Sequence, residues 1–180
     1  MIKQGINCVI DRTVLIGNNV TLSNGVIIEE GCSINDNTFI GNYCILRPQT
    51  HIGRDCKIGH LTVFEGFCSI GDRCLIHSQC HITRGVVIGD DVFIAPMFCG
   101  ANDPQMCHNR RHILEYIETP YCIKRATRIG IGVIINPGVI IGENAVVGSG
   151  SIVTKSIPDR EVWYGTPAEF VRKVPDEECI

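Results

Sequence analysis

The stretch Ile52-Gly53-Arg54-Asp55-Cys56-Lys57-Ile58-Gly59-His60-Leu61-Thr62-Val63-Phe64 decides the fold. An apolar residue returns at every sixth position, at Ile52, Ile58 and Phe64. Working outward, the same beat runs through Ile10, Ile16, Leu22, Ile28, Ile34, Ile40 and Leu46, then Ile70, Ile76, Ile82, Ile88 and Ile94. A second run reads Ile123, Ile129, Ile135, Ile141, Val147 and Val153. A helix needs a period of about 3.6, whereas self-similarity at a fixed longer period is the mark of a solenoid. Each hexad reads as a short strand followed by a turn. Three hexads make one triangular coil of 18 residues, with Ile inside and backbone hydrogen bonds running between coils. Such a coil buries its apolar side only against its neighbours, so stability is a property of the stack.

Four residues after each beat lies a second series of smaller side chains, from Val14, Val20 and Val26 through Cys32, Thr38 and Cys44 to Val92. Seven of the eleven cysteines, 8, 32, 44, 56, 68, 74 and 80, fall on this slot. Cys behaves there as a small, weakly polar core residue. The lattice therefore predicts stacked, reduced thiols and a reducing compartment, against a rival reading of disulfides and secretion. Gly follows the beat at 17, 41, 53, 59, 71, 89, 130, 142 and 148. That position calls for either an unusual φ or a close backbone approach.

The chain of 180 residues suits one domain, and its 44% hydrophobic content argues against disorder. A formal charge of -3 without a dense basic run disfavours nucleic acid. No apolar run has the roughly 18 residues of a membrane span, and the first residues lack a signal-peptide core. The expected location is cytoplasmic. The beat is broken once. Residues 1–98 read as N-terminal coils, 99–122 as an extended loop, 123–158 as C-terminal coils and 159–180 as a tail with a short helix around Ala168–Val174. A long loop leaving a rigid coil is usually functional or disordered, and the concentrated polar and basic groups of this one favour function.

The hexads, the run Ile129-Gly130-Ile131-Gly132-Val133-Ile134-Ile135-Asn136-Pro137-Gly138, the stretch Val147-Gly148-Ser149-Gly150-Ser151-Ile152-Val153-Thr154-Lys155 and the later Gly165-Thr166-Pro167-Ala168 resemble the hexapeptide-repeat acyltransferases. The resemblance covers residues 10–175. It implies an all-β, left-handed parallel β-helix, an acetyl-CoA cosubstrate and a homotrimer with active sites between subunits. Ile88-Gly89-Asp90-Asp91-Val92-Phe93-Ile94-Ala95-Pro96, with Asn102-Asp103, is most similar to N-acetyltransferases acting on nucleotide-linked amino sugars. The histidine base of other branches would align with Arg84 or near Asp103, which points to the amino-sugar branch without that base.

The site residues follow from this resemblance. Asp103 would bind the amine or accept its proton, although an Asx turn before Pro104 is its plain structural alternative. His81 is a second candidate base. Asn102, Gln79 and His77 are candidate substrate contacts, and Arg110 and Arg111 candidate pyrophosphate ligands. Gly130, Gly132 and Gly148 would admit pantetheine, while Lys155, Arg172 and Lys173 would meet the CoA phosphates. Cys107, His108 and His112 have metal-like spacing but no second matched pair, and the three-histidine carbonic anhydrase pattern fails at Glu65, so no metal is expected. The favoured activity is acetyl transfer to the amino group of a UDP- or dTDP-linked amino sugar. An O-acetyltransferase on a sugar or small alcohol and a non-catalytic β-helix scaffold are the alternatives.

Overall fold

A computed structural model describes residues 2–180. Two-residue strands alternate with tight turns and stack into three parallel sheets, the faces A, B and C of a triangular, left-handed parallel β-helix. Face A runs from Lys3–Gln4 to Ala168–Lys173, face B from Val9–Ile10 to Ile152–Val153, and face C from Leu15–Ile16 to Ile140–Ile141. Strand partners lie one coil apart, as in Lys57↔Leu75 and Ile58↔Ile76. Along these short strands one residue points in and its neighbour out, as the period of two requires. The beat residues from Leu22 to Ile141 form the dry core.

The slot has a chemical duty beyond filling space. Its side chain donates to a carbonyl on the following coil: Thr38 to Gly53 O at 2.8 Å, Cys44 to Gly59 O at 2.9 Å, Cys56 to Gly71 O at 3.1 Å and Thr127 to Gly142 O at 2.8 Å. Those corner carbonyls would otherwise be buried without a partner, at a cost of about 1–3 kcal/mol each. Cys and Thr recur there because each couples a compact body to a donor. All eleven cysteines are free thiols, and the slot thiols from Cys32 to Cys80 are buried. Burial pushes Cys44, Cys68 and Cys80 up to about 11.

The glycine after each beat is explained by close approach. A Cβ on Gly41 would lie 2.7 Å from His60 N, on Gly71 2.7 Å from Asp90 N and on Gly130 2.5 Å from Ser149 N. The left-handed residue falls two positions later and is often not glycine, as at Tyr43, Leu61 and Phe67.

The lattice runs further than the sequence suggests. Cys99–Gly100 is a strand of face B, pairing with His81 below and Ile134–Ile135 above. Cys122–Ile123 is likewise a strand of face C. The excursion is therefore 101–120, shorter at each end than the expected 99–122. Gly100 hid the register because it stands on a beat without a side chain. The ring of Tyr121 occupies that space: a Cβ on Gly100 would overlap it. Tyr121 itself stands on a slot position, fully buried and edge-on to Phe98 at 5.8 Å. Burial raises its hydroxyl well above the ordinary phenol range.

The expected tail helix at Ala168–Val174 is a strand. Ala168–Lys173 pairs antiparallel with Glu161–Gly165, which joins face A through Val147↔Trp163. The turn at Gly165-Thr166-Pro167 reverses the chain, and Trp163 and Ala168 close over the end of the core. Pairing with an open sheet edge satisfies backbone groups that an isolated single-turn helix would leave to water. A 3-10 turn at Asp176–Glu178 is the only helical element among the described residues, so no helix there is long and apolar enough to cross a membrane.

Two outcomes are expected. At pH 8 the buried slot thiols stay unmodified by iodoacetamide in the native protein and react on denaturation without reductant; slot positions that stay blocked after denaturation would mean disulfides. Tyr121→Ala lowers stability by about 3–5 kcal/mol, as removal of a fully buried aromatic does, measured by denaturant unfolding of the two proteins.

Candidate active site

Two cavities meet where the loop leaves the solenoid. The root cavity, about 330 Å³, is lined by Arg47, Glu65, His81, Thr83, Arg84, Asn102, Tyr116 and Glu118. The loop cavity, about 610 Å³, is lined by Asp103, Cys107, His108, Asn109, Arg111, His112 and Tyr116. Tyr116 is the wall they share.

The 18-residue coil builds the root cavity. Glu29, Arg47, Glu65 and Thr83 each follow a face B strand and stack at the corner toward face C. Arg47 Nη1 lies 3.3 Å from Glu65 Oε2, and its Nε 3.9 Å from Glu29 Oε2. His81 projects outward from the face B strand His81–Ile82, with Nε2 3.8 Å from Glu65 Oε1. Arg84 lies 3.9 Å above the Phe67 ring and pairs with Glu118 at 3.4 Å. Asn102 Nδ2 donates to Arg84 O at 3.4 Å. Two Arg face two Glu, so the root cavity is balanced in charge. The loop cavity sets Arg111 against Asp103 and adds the imidazoles of His108 and His112.

The expected site residues divide accordingly. His81 and Asn102 meet in the root cavity, whereas Asp103 lies in the loop cavity, beyond Tyr116. Asp103 Oδ1 accepts from Gln105 N at 2.9 Å and Met106 N at 2.8 Å, the Asx turn. Arg111 lines the loop cavity and sits 4.7 Å over the Tyr116 ring. Arg110 reaches back to His108 O at 3.3 Å. His77 and Gln79 line neither cavity. Gln79 is an exposed left-handed corner residue, and His77 packs edge-on against Phe93 at 5.4 Å.

Phe93 borders a third space, a groove of about 300 Å³ on face A that also touches Arg128, Gly130, Val146, Gly148 and Ser149. Gly130 and Gly148 are thus brought together. Their identity is already required by coil stacking, since a Cβ on Gly148 would lie 2.5 Å from Tyr164 Cβ. Gly132 differs: with Gly150 it forms a left-handed corner facing open space. Below them the same corner carries Met97 and Leu61, both half-exposed. Lys155, Arg172 and Lys173 do not line the groove. The Lys155 ammonium sits 5.3 Å from the Trp163 ring, Lys173 pairs with Glu161 at 2.6 Å, and Arg172 donates to Lys173 O at 3.0 Å. Among the described residues no three His, Cys, Asp or Glu side chains converge as metal ligands.

Arg47, Glu65, Thr83, Tyr116 and Glu118 were missed as site residues. The signal for the first three was the coil period itself: Arg47, Glu65 and Thr83 are spaced by 18 below the break in the lattice. Nothing local marks Tyr116 or Glu118, which the fold of the loop delivers.

The Asx turn makes a prediction. Asp103→Asn keeps an acceptor oxygen and leaves the loop intact, whereas Asp103→Ala frees two backbone N–H groups, at about 1 kcal/mol each, and exposes 101–120 to limited proteolysis, read by mass spectrometry.

Residues 2–94 match the family model of the GMPPB C-terminal domain, and residues 123–155 that of the bacterial transferase hexapeptide (six repeats). Galactoside O-acetyltransferase of Escherichia coli is 42% identical over 94 residues, which take in 52% of this chain and 46% of that protein. The match thus spans about half the length of each. Among solved structures, a UDP-N-acetylglucosamine acyltransferase from Campylobacter jejuni superposes with a TM-score of 0.72 at 17% identity, covering 96% of this chain and 68% of the other. A point mutant of AntD, an N-acyltransferase from Bacillus cereus in complex with dTDP and coenzyme A, superposes with a TM-score of 0.57 at 22% identity, covering 90% and 85%. At these identities the likeness is one of fold. The chain belongs to the family of the GMPPB C-terminal domain over residues 2–94, and its C-terminal coils carry the bacterial transferase hexapeptide repeat.

Proposed function

We propose that this protein is an acetyl-CoA-dependent N-acetyltransferase that acts on the amino group of a UDP- or dTDP-linked amino sugar. The observation that carries the reading is the pair of adjoining polar cavities that share Tyr116 at the loop root. The charge-balanced root cavity offers His81 and Asn102 to a sugar. The loop cavity offers the Arg111 guanidinium, with the imidazoles of His108 and His112 beside it, to a diphosphate. The groove at Gly130 and Gly148, with the bare corner at Gly132, suits a pantetheine arm. The curated relatives named as acetyltransferases support acetyl transfer, and the coenzyme A and dTDP bound in AntD support a CoA donor and a nucleotide-linked acceptor.

The outer surface of face B supports assembly as a homotrimer. Val9, Ile27, Ile45, Val63, Ile134 and Ile152 form an aliphatic column there, with Val9 63% and Ile134 42% exposed. His81 and Cys99 alone interrupt it. A subunit docked along this column would border His81 and put the site at a subunit boundary. The stacked free thiols suit a reducing compartment, the cytoplasm.

A second reading, O-acetylation of a sugar hydroxyl, is favoured by the match to galactoside O-acetyltransferase. A hydroxyl needs a base more than an amine does, so that reading leans on His81. Calorimetric titration with acetyl-CoA, then with amino sugars linked to UDP or dTDP, tests the proposal. Binding of both, with turnover of one amino sugar, is the expected result. Turnover confined to hydroxyl acceptors would install the O-acetyl reading, and failure to bind acetyl-CoA would leave a scaffold. His81→Ala is expected to lower kcat/KM by roughly 10²–10⁴-fold, the range for a general base.

A further inference from the structure

The geometry points to Glu65 as the positioning residue that fixes the His81 imidazole, itself held by Arg47. This rests on the transferase reading given above. Glu65 and His81 belong to successive coils on face B, where Val63 pairs with His81 in register. The carboxylate therefore rises beside the ring, with Oε1 3.8 Å from Nε2. Its other oxygen, Oε2, lies 3.3 Å from Arg47 Nη1 and is held from the coil below. Glu29 approaches Arg47 at 3.9 Å from one coil lower still. The acid is tethered on the far side and free to act on the near side. Glu65 and Arg47 share the root cavity with His81 and Asn102, so the arrangement opens onto the space assigned to the acceptor.

Which ring nitrogen of a histidine carries the proton is set by the partner of the other. A carboxylate on the Nε2 side favours the Nε2–H tautomer and leaves Nδ1 as the proton acceptor. As the acceptor nitrogen bonds to the thioester carbonyl, Nδ1 takes its proton. The C–S bond then breaks, and the proton passes to the departing sulfur of CoA. Catalytic contacts that are long in an empty site tighten when substrate closes it. The distance of 3.8 Å is thus a starting point for the Glu65–His81 contact.

The test has a structural arm and a kinetic arm. In ¹⁵N-histidine-labelled protein, the His81 ring signals, assigned by their loss in His81→Ala, report the tautomer ratio. Glu65→Gln and Arg47→Met are expected to move that ratio away from Nε2–H, while Glu65→Asp moves it less. In turnover, Glu65→Gln is expected to lower kcat by about tenfold or more, as loss of an orienting carboxylate does, with KM for acetyl-CoA unchanged. Identical His81 signals in wild type and Glu65→Gln would overturn the inference, whatever the activity. Should no acceptor be acetylated at all, the transferase reading falls, and the ring signals still decide whether Glu65 governs His81.

Discussion

Through the middle of the stack, coil is tied to coil by a Cys or Thr donor buried beneath a corner carbonyl, and the rest of the molecule depends on that tie. Ile columns supply the apolar stacking, which is strong but indifferent to small shifts along the chain. The Thr and Cys donors are directional. A slip of one residue would take Thr38 from the Gly53 carbonyl and turn every beat residue outward. Register is therefore held twice, by burial and by hydrogen bonds. The glycine after the beat completes the arrangement, because coils this close leave no room for a Cβ at the corner.

That constraint explains what could be read in the sequence. The period of six, the slot of small donors and the corner glycines all express one repeated contact, so they were legible without coordinates. The failures come where the repeat is spoken by an unusual residue. Gly100 stands on the beat, but its volume is supplied by Tyr121 from beyond the loop, and no local pattern announces such a loan. Ala168–Lys173 has no hexad because it runs antiparallel, folding back to close the stack. Both are consequences of ending or interrupting a solenoid, which the repeat cannot encode.

The site was legible only in part, for a related reason. His81 and Asn102, both expected from the sequence as site candidates, share a cavity. Asp103, out in the loop and beyond the reach of the coil period, turned its carboxylate to its own backbone. Lys155 and Lys173 went to Trp163 and Glu161, and Arg172 to the Lys173 carbonyl, which left the groove without them. Charged side chains on a solenoid surface pair with whatever lies one coil above or below, because those neighbours come at fixed spacing. The Glu29–Arg47–Glu65 ladder shows the constructive side of that rule, and Arg73 with Asp91 at 2.7 Å shows it again at another corner.

The loop stem holds a final lesson. Asn102 O accepts from Thr119 N at 2.7 Å, Thr119 O accepts from Gly138 N at 2.8 Å, and Tyr121 re-enters the lattice on the slot that follows the Gly100 beat. The excursion begins and ends at one corner, as a hem drawn out of a seam that stays sewn. Its length and composition are consequently uncoupled from the stack. Residues 103–118 can therefore change in length and composition while the coils around them keep their register. A scaffold of this kind separates the inheritance of shape from the inheritance of specificity.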